Sequence, residues 1–145
     1  MLSTRSAKGY RSILSITTGA IAIAVLALSS IARAADNPTV VIRMVDMPAS
    51  FEPQQVTIKV GDTVEWKNVG NSVHHASSDP SEAMKPGDAT TPSGAKAFDS
   101  GFLRPGDTYS HTFTEPGVYN YVCAPHETSG MTGKIIVVPK DQAAR

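Results

Sequence analysis

Cys123, His126 and Met131 lie on one short stretch, Tyr121-Val122-Cys123-Ala124-Pro125-His126-Glu127-Thr128-Ser129-Gly130-Met131. A soft thiolate, a borderline imidazole and a weak thioether on one loop suit copper better than any other common metal. A blue-copper site needs a second imidazole to complete a His₂Cys plane, with the thioether as a long axial ligand. Val73-His74-His75-Ala76 offers two, and residue type alone does not choose between them. Cys123 is the only cysteine of the chain, so it has no internal disulfide partner. That leaves an intermolecular bridge, an inert buried thiol or a metal ligand. The neighbouring His126 and Met131 favour the metal. Glu127 is an oxygen alternative that would give a non-blue site, but its neighbour His126 already uses that turn. Met44, Met47 and Met84 are further thioethers, none at loop spacing to Cys123; Met44 fits a strand, and Met47 and Met84 fit loops.

The elements that must position these residues begin after a leader. Residues 1–11 carry Arg5, Lys8 and Arg11 and no acid, Ala20–Leu28 is an unbroken apolar run, and Ala32-Arg33-Ala34 has the form of a cleavage site. These are the three parts of a secretory signal peptide. The apolar run is far shorter than the roughly 20 residues of a membrane span, which argues against an uncleaved anchor. No Arg-Arg pair precedes it, which fits the general secretory route. The expectation is a signal peptide over 1–34 and one domain over 35–145, exported to the periplasm and not inserted in a membrane. Four of the thirteen basic residues (Arg5, Lys8, Arg11 and Arg33) fall in the leader, leaving nine against thirteen acids and a net charge near −4. That balance argues against nucleic acid, which calls for basic patches, and permits weak steering toward a basic partner.

Beyond the leader the apolar pattern alternates with period two. Thr39–Val45 reads as a strand with Val40, Ile42 and Met44 on one face. Met47-Pro48 and Glu52-Pro53 break the chain into a loop around Phe51. Gln55–Val60, Thr63–Asn68, Thr108–Phe113, Val118–Cys123 and Thr132–Val138 read as strands. The chain re-enters a strand near His74, and Phe98–Phe102 reads as a short edge strand. Pro80, Pro86, Gly87, Pro92 and Gly94 make Asp79–Ala97 a surface loop with one helical turn near Ser81–Met84. Seven or eight short strands with turns at this spacing indicate an all-β fold, an antiparallel Greek-key β-sandwich. Cys123 then ends a strand on the face of Tyr119 and Tyr121, which holds the thiolate on a rigid element. Pro125 stiffens the loop that follows. His111 shares a face with Tyr109 and Phe113 and reads as a partly buried strand histidine.

Cys-x₂-His-x₄-Met after a Tyr-rich strand resembles the copper loop of plastocyanins and pseudoazurins, within the cupredoxin family. Gly61-Asp62-Thr63-Val64-Glu65-Trp66-Lys67-Asn68 resembles the strand leading to their first histidine. The resemblance spans roughly Thr39 to Val138. It implies a cupredoxin-like sandwich holding one type 1 copper. Its first ligand lies eight residues past the strand Trp, which selects His74 over His75. The implied set is therefore His74, Cys123, His126 and Met131. His75 would turn away, with its amide near the sulfur, and it departs from the Asn common at that position. Photosynthetic plastocyanins have a second electron route through a tyrosine before the cysteine; here that residue is Val122.

Three functions fit copper differently. An electron carrier passing one electron between a transient redox donor and acceptor needs only this closed site, and a monomer suffices. A copper-delivery protein favours open sites rich in Met and His. A copper enzyme needs further copper centres, yet only His75 and His111 remain once two histidines are assigned. No Ser–His–acid signature points to another enzyme. The reading is an electron carrier, with periplasmic copper delivery as the alternative.

Overall fold

The computed structural model describes residues 39–142; the expected leader over 1–34 lies outside them. Two sheets form the molecule among these residues. Strand β1 (Thr39–Asp46) buries Ile42 and Met44 and exposes Val41 and Arg43, as period two requires. It pairs on one side with β2 (Ala49–Glu52), Met44 facing Phe51, and on the other with β4 (Thr63–Asn68), Ile42 beside Trp66. Strand β5 (Thr108–Thr112) closes this sheet, in the order β2-β1-β4-β5. The second sheet has the order β3-β7-β6, from β3 (Gln55–Lys59), β6 (Gly117–Val122) and β7 (Thr132–Val138).

The core is aromatic. Trp66 is fully buried, and its ring centroid lies 4.8 Å from that of Phe98, 5.6 Å from Tyr121 and 5.7 Å from Tyr109. Pairs of this kind add about 0.5–1.5 kcal/mol each beyond the area they bury. Tyr121 also packs on Phe51, at 4.6 Å. The cluster therefore ties β2, β4, β5 and β6 together directly beneath the end of β6, where Cys123 follows.

Four features differ from the sequence pattern. The β1–β4 and β3–β7 pairs are parallel, so the sandwich is mixed rather than wholly antiparallel. Alternation reveals that a segment is a strand but carries no information about its neighbour. Ala49–Glu52 is a strand and not a loop, because Pro48 and Pro53 flank it without removing a donor from its ladder. The strands expected near His74 and over Phe98–Phe102 are reduced to single bridges, His74 to Leu103 and Ser77 to both Asp99 and Val122. Side chains satisfy much of the backbone there. Asn68 Nδ2 donates to the Ser72 and Leu103 carbonyls at 2.8 and 3.0 Å, and Ser78 Oγ accepts from the Phe98 amide at 3.0 Å. The helical turn falls at Pro80–Glu82, one residue earlier than expected, with Asp79 accepting from the Ser81 amide at 2.9 Å.

Gly133 on β7 faces the Tyr121 ring so closely that an added Cβ would run into it. The ring is enclosed by Phe51, Trp66 and Phe98 and has no room to withdraw. Gly133→Ala is expected to lower stability by about 1–3 kcal/mol through overpacking. A lower denaturant midpoint at unchanged slope would establish this; an unchanged midpoint would show that the ring yields.

Candidate metal centre

Strand β6 stops at Val122, one residue short of the expected end, and Cys123 opens a six-residue 3₁₀ turn over Ala124–Ser129. Backbone bonds close this turn into a ring. The Cys123 amide donates to the Met131 carbonyl at 3.0 Å, and the His126 amide to the Cys123 carbonyl at 2.8 Å. The Met131 amide donates to the His126 carbonyl at 3.2 Å, and the Gly130 amide to the Glu127 carbonyl at 2.8 Å. Gly130 sits at φ 85°, a left-handed conformation that glycine adopts without penalty and that ends the turn. The loop is thus a pre-formed cradle that joins Cys123 to Met131, both fully buried.

His74 reaches the same place from the other sheet. Its backbone bridges Leu103 in both directions, at 3.0 and 2.8 Å. Its Nδ1 lies 3.8 Å from Cys123 Sγ, and His126 Nδ1 lies 3.4 Å from the same sulfur. These three donor atoms fall within 4.8 Å of one another. An ion bound at about 2.3 Å to sulfur and 2.0 Å to imidazole would set each nitrogen about 3.7 Å from the sulfur in a trigonal plane. The triangle is therefore the right size for one ion of the late first row. His74 is fully buried and His126 half-buried.

The electrostatics agree with this. Burial pushes the Cys123 thiol up to about 11, against the opposing amides of His75 and His126. A thiolate here at neutral pH needs a cation to compensate it, and metal binding would release that proton. Burial also lowers the His74 pKa, with Asp46 opposing, so the imidazole stays neutral as a ligand must.

His75 points elsewhere. Its Nε2 lies 2.8 Å from Asp99 Oδ1 and its ring 5.5 Å from that of Phe102. Its amide donates to Cys123 Sγ at 3.3 Å, and such bonds tune the potential of copper thiolates. Glu127 is fully engaged: its buried carboxylate accepts from the Met84 and Lys85 amides at 2.7 and 2.9 Å. It fastens the loop over 79–97 to the ligand turn and has no free oxygen directed at an ion. His111 lies between Phe98 and Phe113, at 5.4 and 4.8 Å, away from the triangle.

One participant escaped the sequence reading. Asp46, at the end of β1, places Oδ1 2.9 Å from His74 Nε2. It precedes that histidine by 28 residues, and an acid at a strand end carries no distinguishing signal. The Asn71 amide holds this carboxyl below the ordinary range; desolvation opposes, and the His74 ring and Ser72 amide assist.

Comparison with known proteins gives a consistent picture. The model of a family described as copper binding proteins, plastocyanin/azurin family, matches residues 39–138. The chain is 34% identical over 137 residues to chloroplastic plastocyanin of Oryza sativa subsp. indica, covering 92% of this chain and 84% of that one. It is 40% identical over 91 residues to plastocyanin of Scenedesmus fuscus, covering 60% and 85%. Among solved structures it is similar to the oxidised form of an amicyanin mutant, with a TM-score of 0.53 and 29% identity over 68% of this chain and 81% of that one.

Glu127→Gln retains one acceptor oxygen for two amides. A hydrogen bond to a charged group contributes about 1.5–3 kcal/mol, so hydrogen exchange at the Met84 and Lys85 amides should accelerate tenfold or more. Unchanged exchange at both amides would mean that the loop is fastened by other contacts.

Proposed function

The chain belongs to the plastocyanin/azurin family of copper-binding proteins, and from that premise we infer a carrier of single electrons with one type 1 copper. In this reading His74, Cys123 and His126 supply the trigonal donors and Met131 the weak axial one. The observation that carries it is the convergence of two imidazole nitrogens on one buried sulfur, at 3.4 and 3.8 Å. When bound, copper supplies a Cu(II)/Cu(I) couple. The chain's own contribution is to hold the donors in one arrangement for both oxidation states. Cys123 and Met131 are pinned by the closed backbone ring, and His74 by Leu103 and Asp46.

Copper delivery fits less well, because the candidate thiol and first imidazole are fully buried rather than open to exchange. The carrier reading assigns no catalytic residue. His126 is the half-buried member of the set and the natural point of electron exit, within a turn that also holds exposed Pro125. Val122 is fully buried, so a side chain beside the cysteine offers no second surface route. The partners are a transient redox donor and acceptor, and the working form is a monomer. No helix among the described residues is long and apolar enough to cross a membrane. The leader over 1–34 directs the domain over 35–145 to the periplasm.

Copper-loaded protein should show an intense visible thiolate-to-copper band with narrow EPR hyperfine splitting. Cys123→Ser and His74→Ala should abolish that band, and His75→Ala should keep it. Met131→Gln should lower the reduction potential and Met131→Leu raise it, since the axial donor tunes that potential. A coloured Cys123→Ser or His74→Ala protein would overturn the ligand set. Separately, the intact mass of exported protein should correspond to a chain starting at Ala35; a mass retaining Ala20–Leu28 would mean that the leader stays attached.

A further inference from the structure

We propose that Asp46 is a positioning residue for His74, fixing its tautomer and biasing the bound metal toward its more highly charged state. This rests on His74 being a ligand. Asp46 ends β1 and is only 18% exposed at its side chain. Its two oxygens have three partners. Oδ1 faces His74 Nε2 at 2.9 Å and accepts from the Ser72 amide at 3.3 Å, while Oδ2 accepts from the Asn71 amide at 2.6 Å. The chain over 70–74 wraps the carboxylate so tightly that a Cβ on Gly70 would collide with it. The turn between β4 and His74 is thus held from one side by this acid and from the other by Asn68, whose Oδ1 accepts from the Gly70 amide at 3.0 Å and whose Nδ2 donates to the Ser72 carbonyl at 2.8 Å.

The chemistry follows from the ring's two nitrogens. A carboxylate is an acceptor only, so the proton between Asp46 and His74 sits on Nε2. Nδ1 is then left with its lone pair, on the side of Cys123 Sγ at 3.8 Å. A carboxylate behind a ligating imidazole fixes the tautomer and ring orientation and raises the basicity of the ligating nitrogen. Extra negative charge at that distance favours Cu(II) over Cu(I). His126 differs: it is half-buried, and none of the described carboxylates lies within ion-pair distance of its ring. The two imidazoles are therefore unequal: of the pair, only His74 has a carboxylate against its second nitrogen.

The test uses the whole protein with two readouts. In the metal-free wild-type protein, nitrogen-15 NMR of the His74 ring should show the Nε2–H tautomer at a pH where the ring is neutral. An Nδ1–H ring would overturn the proposal without any variant. With copper bound, Asp46→Asn should keep the visible band while the ratio of Cu(II) to Cu(I) affinity falls about tenfold, a rise of about 59 mV for a one-electron couple. Asp99→Asn, which removes a carboxylate from His75 instead, is the comparator and should move the potential far less. An unchanged potential in Asp46→Asn, or an equal rise in both variants, would overturn the proposal and reduce Asp46 to a staple for Asn71 and Ser72. Failure of the ligand set is distinguishable, because His74→Ala would then keep the band.

Discussion

The rest of the structure depends on the burial of one sulfur. A thiol in an apolar aromatic core is comfortable protonated and costly ionised, which is why its pKa stands near 11. On the proposed reading the site reverses that preference with a cation, two imidazoles and the amide of His75. The protein groups must reach Sγ from two parts of the chain: His74 and His75 from the segment after β4, His126 from the turn after β6. The sandwich is the device that delivers them. Its two sheets pack around Trp66 and Tyr121, and the ends of β4 and β6 bring their following loops to one place.

Much of this was legible in the sequence, for identifiable reasons. Strands β1, β3, β4, β5, β6 and β7 show period-two alternation, which the sheet surface imposes directly. The candidate copper loop is local: Cys123 and Met131 flank one turn, and the Gly130 that ends it is visible as a glycine. The features that were not legible are relations between distant segments. Parallel pairing of β1 with β4 leaves no trace in either strand. The contact between Asp46 and His74 joins a strand end to a loop residue across three intervening strands. The segment over 69–107 is the extreme case, held by side-chain bonds from Asn68, Ser78 and Asp107 rather than by a ladder. Polar residues in such numbers read as solvent-exposed loop, and only three dimensions reveal which are buried.

The long loop over 79–97 shows how a polar insertion can serve a buried site. It contributes Ala89 to the buried apolar set. What ties it down is polar: Thr90 bridges Asn120 on β6, and Glu127 binds the Met84 and Lys85 amides. Glu127 comes from the ligand turn itself. A carboxylate at that position could have competed for a metal ion, and its two backbone bonds remove that competition. The same bonds brace the turn in addition to the Cys123–Met131 backbone hydrogen bond.

Rigidity and access make opposite demands on such a site. On the proposed reading, a geometry shared by two oxidation states calls for ligands locked by packing and by supporting hydrogen bonds, and burial of His74, Cys123 and Met131 meets that demand. Exchange with a partner calls for one ligand near solvent. On that reading the two demands fall to different histidines. His74 follows the end of β4, an inner strand, and turns into the interior, where Asp46 can hold its second nitrogen and Gly70 makes room for the carboxylate. His126 stands on a turn whose backbone is self-contained, so its ring can approach the surface without loosening the sulfur. Exchanging the roles would fail on both counts. A ligand on the long bridged segment after β4 would lose its support if exposed, and on the six-residue turn the buried carboxylate, Glu127, is already committed to the Met84 and Lys85 amides. The unequal burial of the two imidazoles thus follows from which segment carries the supporting carboxylate.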